Sequence, residues 1–298
     1  MINFNHVGRI LLAAGLVTTV AQAKAAGLVI VPTFDSTITS LSSAATIEAT
    51  IKTAIATYEA DITTPVTINI TFKNVTSGLG ASSYSNFVVP YSTYLKALTA
   101  SRTSPSDTTA IAHLATTTNN PVTNTADVLV HSALARALGL AASLNISASA
   151  SDGTVSLNTS IMNLSRTGTQ SATRYDLQTV AMHEIDEVLG LGSTMGQGLA
   201  SPYSTYPSPE DLFRYDKTGK RSFSTTSTTI AYFSLDGTTH LNQLNNTGSG
   251  DYGDWVNTST VQVQDINGTE GKTANLNVEL TALDVIGYTL TAALQKTN

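Results

Sequence analysis

The sequence predicts an α+β fold, with a mixed sheet and its helices followed by a smaller, loop-rich C-terminal lobe. Three observations carry that expectation. Strand-like segments at Leu28–Phe34 and 66–72 flank a stretch, 44–60, in which Ile47, Ile51, Ile55 and Tyr58 recur at helical spacing. The most regular helical pattern of the chain, 173–191, lies mid-sequence. Beyond Gly192 the pattern changes to short strands and turns, and it closes with a helical run at 279–286.

Taken in order, residues 1–25 read as a secretory signal peptide. Arg9 gives the positive flank, and Ile10 to Val20 form an apolar stretch too short to span a bilayer. Small residues follow in the Ala-x-Ala pattern, at Ala21-Gln22-Ala23 or Ala23-Lys24-Ala25. An N-terminal membrane anchor is the competing reading of this segment. Residues 26–298 then form one domain, with lobes 26–192 and 193–298. In the first lobe a strand at Leu28–Phe34 precedes the helix at 44–60. Thr64-Pro65 stops that helix, and Val66, Ile68, Ile70 and Phe72 alternate as a half-buried strand. A helix is expected over 91–98, a polar Ser/Thr/Pro loop after it, a second helix over 128–140 and a short strand over 153–158. In the second lobe Asp236-Gly237 signals a hairpin, and Gly287 stops the last helix.

Composition narrows the function classes. Charged residues are only 12 % of the 298, with 15 basic against 21 acidic side chains for a net charge of −6. Removing residues 1–25 takes away Arg9 and Lys24 and no acid, leaving −8. No basic cluster marks a nucleic-acid partner. No later segment is apolar and long enough for a transmembrane helix, so a secreted, extracellular protein free of the membrane after signal cleavage is expected. Cysteine is absent, which excludes a thiol nucleophile, a thiolate zinc site and an iron–sulfur cluster; any metal must be held by His, Asp, Glu or other oxygen donors.

The chemistry-bearing segment is Val180-Ala181-Met182-His183-Glu184-Ile185-Asp186-Glu187-Val188-Leu189-Gly190. On a helix His183 and Glu187 project from one face a single turn apart, where both can reach one ion. Imidazole nitrogen and carboxylate oxygen are ordinary zinc ligands. Leu177, Ala181, Ile185, Val188 and Leu189 form a separate apolar stripe, so one face can be buried and the other offered to a cleft. Glu184 stands beside the ligand face, where a carboxylate can take a proton from an attacking water and give it to a leaving amine. This is the division of labour in His-Glu-x-x-His, with Glu187 replacing the second histidine. A merely solvated charged stripe is the bland alternative.

The segment 181–193 resembles the active-site helix of a family of secreted metalloprotease-like proteins with a His-Glu-Ile-x-Glu-Val core. Ser208-Pro209-Glu210-Asp211-Leu212-Phe213-Arg214-Tyr215, Tyr232-Phe233-Ser234-Leu235-Asp236-Gly237, Gly250-Asp251-Tyr252-Gly253-Asp254-Trp255 and 279–288 are similar to further signatures of that family. More distantly the layout is similar to metzincin zinc peptidases, which implies a metzincin-like architecture with Gly190 at the sharp turn after the metal helix. The chain departs from their pattern: Ser193 stands at the third-ligand position ten residues after His183, and Met195 is the last methionine.

A catalytic zinc needs a third protein ligand. Asp211 leads, because it follows the glycine turn in a dense aromatic–charged block; Asp254 and His240 come next. Asp211 also reads as a cap, Asp254 as a turn acceptor beside Trp255, and His240 as an exposed loop residue. His113 and His131 read as structural or solvated. Tyr215 is a candidate oxyanion donor, or a buried tyrosine with a satisfied hydroxyl. The Asp-rich loop 248–254 offers oxygen ligands for Ca2+, or is an ordinary glycine turn. The resulting expectation is a zinc-dependent endopeptidase acting on peptide or protein substrates, with the strand at 153–158 lining the cleft and pairing with substrate through a free edge. The alternatives are a non-enzymatic exported binding or surface protein with a degenerate site, and a metal-dependent hydrolase of other substrates.

Overall fold

The computed structural model describes residues 27–248 and 250–296. The stretch read as a signal peptide lies outside them. The chain opens with β1 (Leu28–Phe34), a single turn α1 (Ser36–Thr39), α2 (Ala44–Asp61) and β2 (Val66–Asn74). Two strands follow, β3 (Gly80–Tyr84) and β4 (Asn86–Pro90), then α3 (Tyr91–Ser101) and α4 (Pro105–Ala112). Next come β5 (Asp127–His131), α5 (Ser132–Ala137), β6 (Gly153–Leu157), the two-residue strands β7 (Met162–Asn163) and β8 (Tyr175–Asp176), and α6 (Leu177–Leu189). The second lobe holds β9 (Arg214–Asp216), β10 (Ala231–Phe233), β11 (Asn242–Leu244) and α7 (Val278–Ile286).

The main sheet is mixed, in the order β1-β2-β6-β3; β1, β2 and β6 run parallel and β3 is antiparallel at the edge. Alternation puts Ile30, Ile68, Ile70, Phe72, Val155 and Leu157 on one buried face, where α2 and α6 cover them. Register carries this face across to the edge strand: Phe72 aligns with Val155 and Val155 with Ser82, while Gly153 aligns with Tyr84 and Leu157 with Gly80. The hydrocarbon row therefore ends in Gly80, Ser82 and Tyr84, directly beside α6. Gly153 lets the helix come close, since a Cβ there would stand 2.6 Å from Val188 Cγ2.

Buried tyrosines tie the layers together. Tyr58 hydroxyl donates to Met182 O at 2.8 Å, Tyr94 to Ile286 O at 3.1 Å and Tyr288 to Leu189 O at 2.8 Å. The second lobe contains a three-stranded antiparallel sheet, β11-β10-β9, with Asp236-Gly237 in the β10–β11 connection. None of the helices among the described residues is long and apolar enough to cross a membrane.

Three expectations change. The run 128–140 is not one helix but β5 followed by α5, because Val128 and Val130 pair with β4 before the chain turns at His131. The Ser/Thr/Pro stretch after α3 contains α4, begun by a capping box of Ser104 and Asp107 with Pro105 in its first turn. And β6 is an interior strand flanked by β2 and β3, so the free edge belongs to β3.

Candidate metal centre

Local sequence fixes the helix that carries the site. Asp176 caps α6 by accepting from Thr179 N at 2.7 Å, and Arg166 holds that carboxylate at 2.7 Å. Gly190 ends the helix at φ +133°, a conformation that favours glycine. Leu177, Ala181, Ile185, Val188 and Leu189 are fully buried, which turns His183, Glu184 and Glu187 toward β3 and a cleft of about 830 Å³.

His183 Nδ1 lies 2.9 Å from Val263 O; a carbonyl only accepts, so Nδ1 carries the proton. The Nε2 atom then faces Glu187 Oε1 at 3.8 Å and Asp254 Oδ1 at 3.7 Å. These spacings exceed a hydrogen bond, and the three ligand atoms all lie within 4.8 Å of one another. Two donors held by one zinc at about 2.1 Å and a tetrahedral angle stand about 3.4 Å apart. The residues present therefore fit a divalent ion in donor type, spacing and outer support. The second Glu187 oxygen, Oε2, accepts from Ser82 Oγ at 2.5 Å. Asp254 Oδ1 accepts from Gln264 Nε2 at 3.0 Å. Such partners orient ligands and raise their affinity.

Asp254 reaches the helix although it is remote in sequence. Trp255 is fully buried beside it, and its Nε1 donates to Glu279 Oε1 at 3.1 Å. On the other side Gly253 lies backbone to backbone with the turn after α6: a Cβ there would stand 2.5 Å from Gly192 Cα. Asp251 locks the same junction by accepting from Ser193 N at 2.8 Å and Gly253 N at 2.6 Å.

Glu184 is 5 % exposed and lies against the backbone of Gly80, where any Cβ would run into its Oε1. Burial first, then the Glu187 and Asp254 carboxylates, push its carboxyl well above the usual range. Burial and Glu187 do the same to Asp254. Among the described residues no Lys or Arg forms an ion pair with Glu184, Glu187 or Asp254. Three carboxylates packed this closely without a direct Lys or Arg partner are a charge arrangement that a divalent cation would balance.

The other candidates fall elsewhere. Asp211, expected as third ligand, is buried and caps the turn after α6: it accepts from Ser193 Oγ at 2.6 Å, Ser208 N at 2.9 Å and Thr194 N at 3.1 Å. The runner-up, Asp254, occupies the place beside His183. Tyr215 sits in β9 under the Arg221 guanidinium, 4.5 Å from its ring centroid, and does not line the cleft. His240 stacks on Tyr232, and exposed His113 bonds Thr109 O. His131 is buried, with Nδ1 donating to Glu187 O at 2.8 Å; burial pulls its imidazole down to about 4. In the loop read for Ca2+, Asp251 and Asp254 point to different partners. Sequence reasoning missed Gly80, Ser82 and Tyr84, for which the period-two pattern Gly-x-Ser-x-Tyr was the available signal.

No protein-family model, curated protein or solved structure matches the chain. The functional reading therefore rests on this side-chain geometry.

Proposed function

We propose that the protein is a zinc-dependent endopeptidase in which His183, Glu187 and Asp254 hold the ion and Glu184 is the acid–base residue. The observation that carries this reading is the Nε2 atom of His183, unprotonated in the neutral tautomer, facing two carboxylate oxygens that form no ion pair with a Lys or Arg among the described residues. The chemistry supplied by zinc at such a site is Lewis acidity toward an attacking water and a scissile carbonyl. Glu184 accepts the proton that the water loses as its oxygen bonds to the carbonyl carbon. It then returns that proton to the amine nitrogen as the C–N bond breaks.

An extended chain is the substrate form that suits the cleft. Leu79 O accepts from Asn158 N on the β6 side, so alternation turns the main-chain groups of Gly80, Ser82 and Tyr84 to the free edge. A peptide pairing there lies across His183 and Glu184. Its side chains meet Leu79, Val180, Val261 and Ile266 on the cleft wall.

Elemental analysis and peptide cleavage test the reading together. One zinc per chain is expected in the wild type and less than about a tenth of that in His183→Ala, since zinc sites need their full ligand set. Glu184→Gln keeps the zinc and loses roughly 10²–10⁴-fold in cleavage rate. Absence of zinc in the wild type, or full activity in Glu184→Gln, refutes the assignment in favour of a binding protein.

A further inference from the structure

We propose that Tyr84 donates a hydrogen bond to the scissile carbonyl oxygen as that oxygen gains negative charge. The proposal rests on the peptidase reading and adds to it a residue on the opposite flank of the site from Glu184.

Strand alternation places it. Gly80, Ser82 and Tyr84 share one face of β3, while Ala81 and Ser83 are exposed on the other. Gly80 lies against Glu184, and Ser82 bonds Glu187. Tyr84 is the next residue on that face, about 7 Å further along the strand, so the Glu187 contact stands between it and the acid–base residue. Its ring is stacked on His131 at a centroid distance of 3.8 Å and 26°. His131 is in turn fixed by its bond to Glu187 O. The aromatic plane is thus held by the helix that carries the ligands.

The hydroxyl is the distinguishing feature. Tyr58, Tyr91, Tyr94 and Tyr288, the most buried tyrosines, each donate to a carbonyl oxygen. Tyr84 is half-buried, lines the cleft, and its hydroxyl makes no hydrogen bond to any described residue. A buried phenol normally finds an acceptor; the Tyr84 hydroxyl lies on the cleft wall near the Gly192 backbone and the Asp251 carboxylate, hydrogen-bonded to neither. Burial and the carboxylates of Asp251, Glu187, Asp254 and Glu184 push the phenol well above its usual value, so it stays protonated through the neutral range. No bond to Tyr84 forms or breaks during the reaction. Its proton stays on the phenol and strengthens its contact as charge grows on the carbonyl oxygen.

Tyr84→Phe keeps the ring on His131 and removes only the donor. Expected are a kcat about 10²-fold lower, a KM within about twofold of wild type, and unchanged zinc content. A phosphinic peptide, whose tetrahedral oxygens imitate the charged state, should bind the variant about 10²-fold more weakly by calorimetry, with cleaved-peptide affinity unchanged. Unaltered kcat and phosphinic affinity, a loss confined to KM, or a loss of zinc each overturn the proposal. In a zinc-loaded, active wild type those results leave the peptidase reading standing. A wild type without zinc or cleavage overturns both.

Discussion

Asp211 and Asp254 are both buried carboxylates near the turn that follows α6, yet they do opposite work. Asp211 is saturated: Ser193, Thr194 and Ser208 direct backbone and hydroxyl donors onto its two oxygens. Asp254 receives one side-chain hydrogen bond, from Gln264, and its Oδ1 stands short of hydrogen-bond contact with His183. The two acids are buried to a similar degree. A carboxylate whose lone pairs are used up organises the chain around it; one that stands close to other ligand atoms without bonding them is the one the proposed zinc reading draws on.

Exchanging the two effects is the sharpest test. Asp254→Ala should lower zinc affinity by more than the roughly 10–100-fold that outer partners cost, read by competition with a chelator, with cleavage lost in parallel. Asp211→Ala should instead keep its zinc and lose about 3 kcal/mol of unfolding free energy in urea, because buried donors are left unpaired. Zinc lost from the second variant and kept in the first would reverse the comparison. A smaller effect is expected for Ser82→Ala, which frees Glu187 Oε2: about 10-fold weaker zinc, with stability little changed.

An effect that grows with pH concerns a third kind of buried acid. Asp284 in α7 accepts from Ser104 Oγ at 2.6 Å, and its other oxygen has no partner. Burial pushes its carboxyl up to about 7. The folded state therefore binds this proton more tightly than the unfolded chain, whose Asp titrates near about 3.9. Its favourable contribution is complete below that value and is lost as pH rises through about 7. Asp284→Asn should melt higher than wild type by a margin that widens from pH 5 to pH 8 in thermal scans. A margin that shrinks over that range would show that the carboxyl is not held protonated.

Where one face of an element is apolar, the sequence announces it. Strand β1 follows from its short apolar run, α2 from the Ile47/Ile51/Ile55 stripe, β2 from the alternation of Val66, Ile68, Ile70 and Phe72, and the end of the last helix from Gly287. The apolar run after Ala126 is ambiguous by periodicity alone, and only its β-branched Val128 and Val130 mark the strand. The capping box at Ser104 was legible but hidden among turn formers. At the site, His183, Glu184 and Glu187 were readable because one helical turn links them. Asp254 was not separable from Asp211, since loop closure between remote segments leaves no periodic trace. The β3 residues carried only the faint Gly-x-Ser-x-Tyr alternation, because their inner face meets carboxylates and so shows no hydrophobic pattern.

The backbone contact between Gly192 and Gly253 has a consequence for biosynthesis. A growing chain that has released the helix but not residue 254 carries two of the three proposed ligands and lacks the backbone contact that brings the third beside them. On the zinc reading proposed above, metal capture waits until residue 254 has emerged and folded back against the helix, and products that stop short of it lack the site.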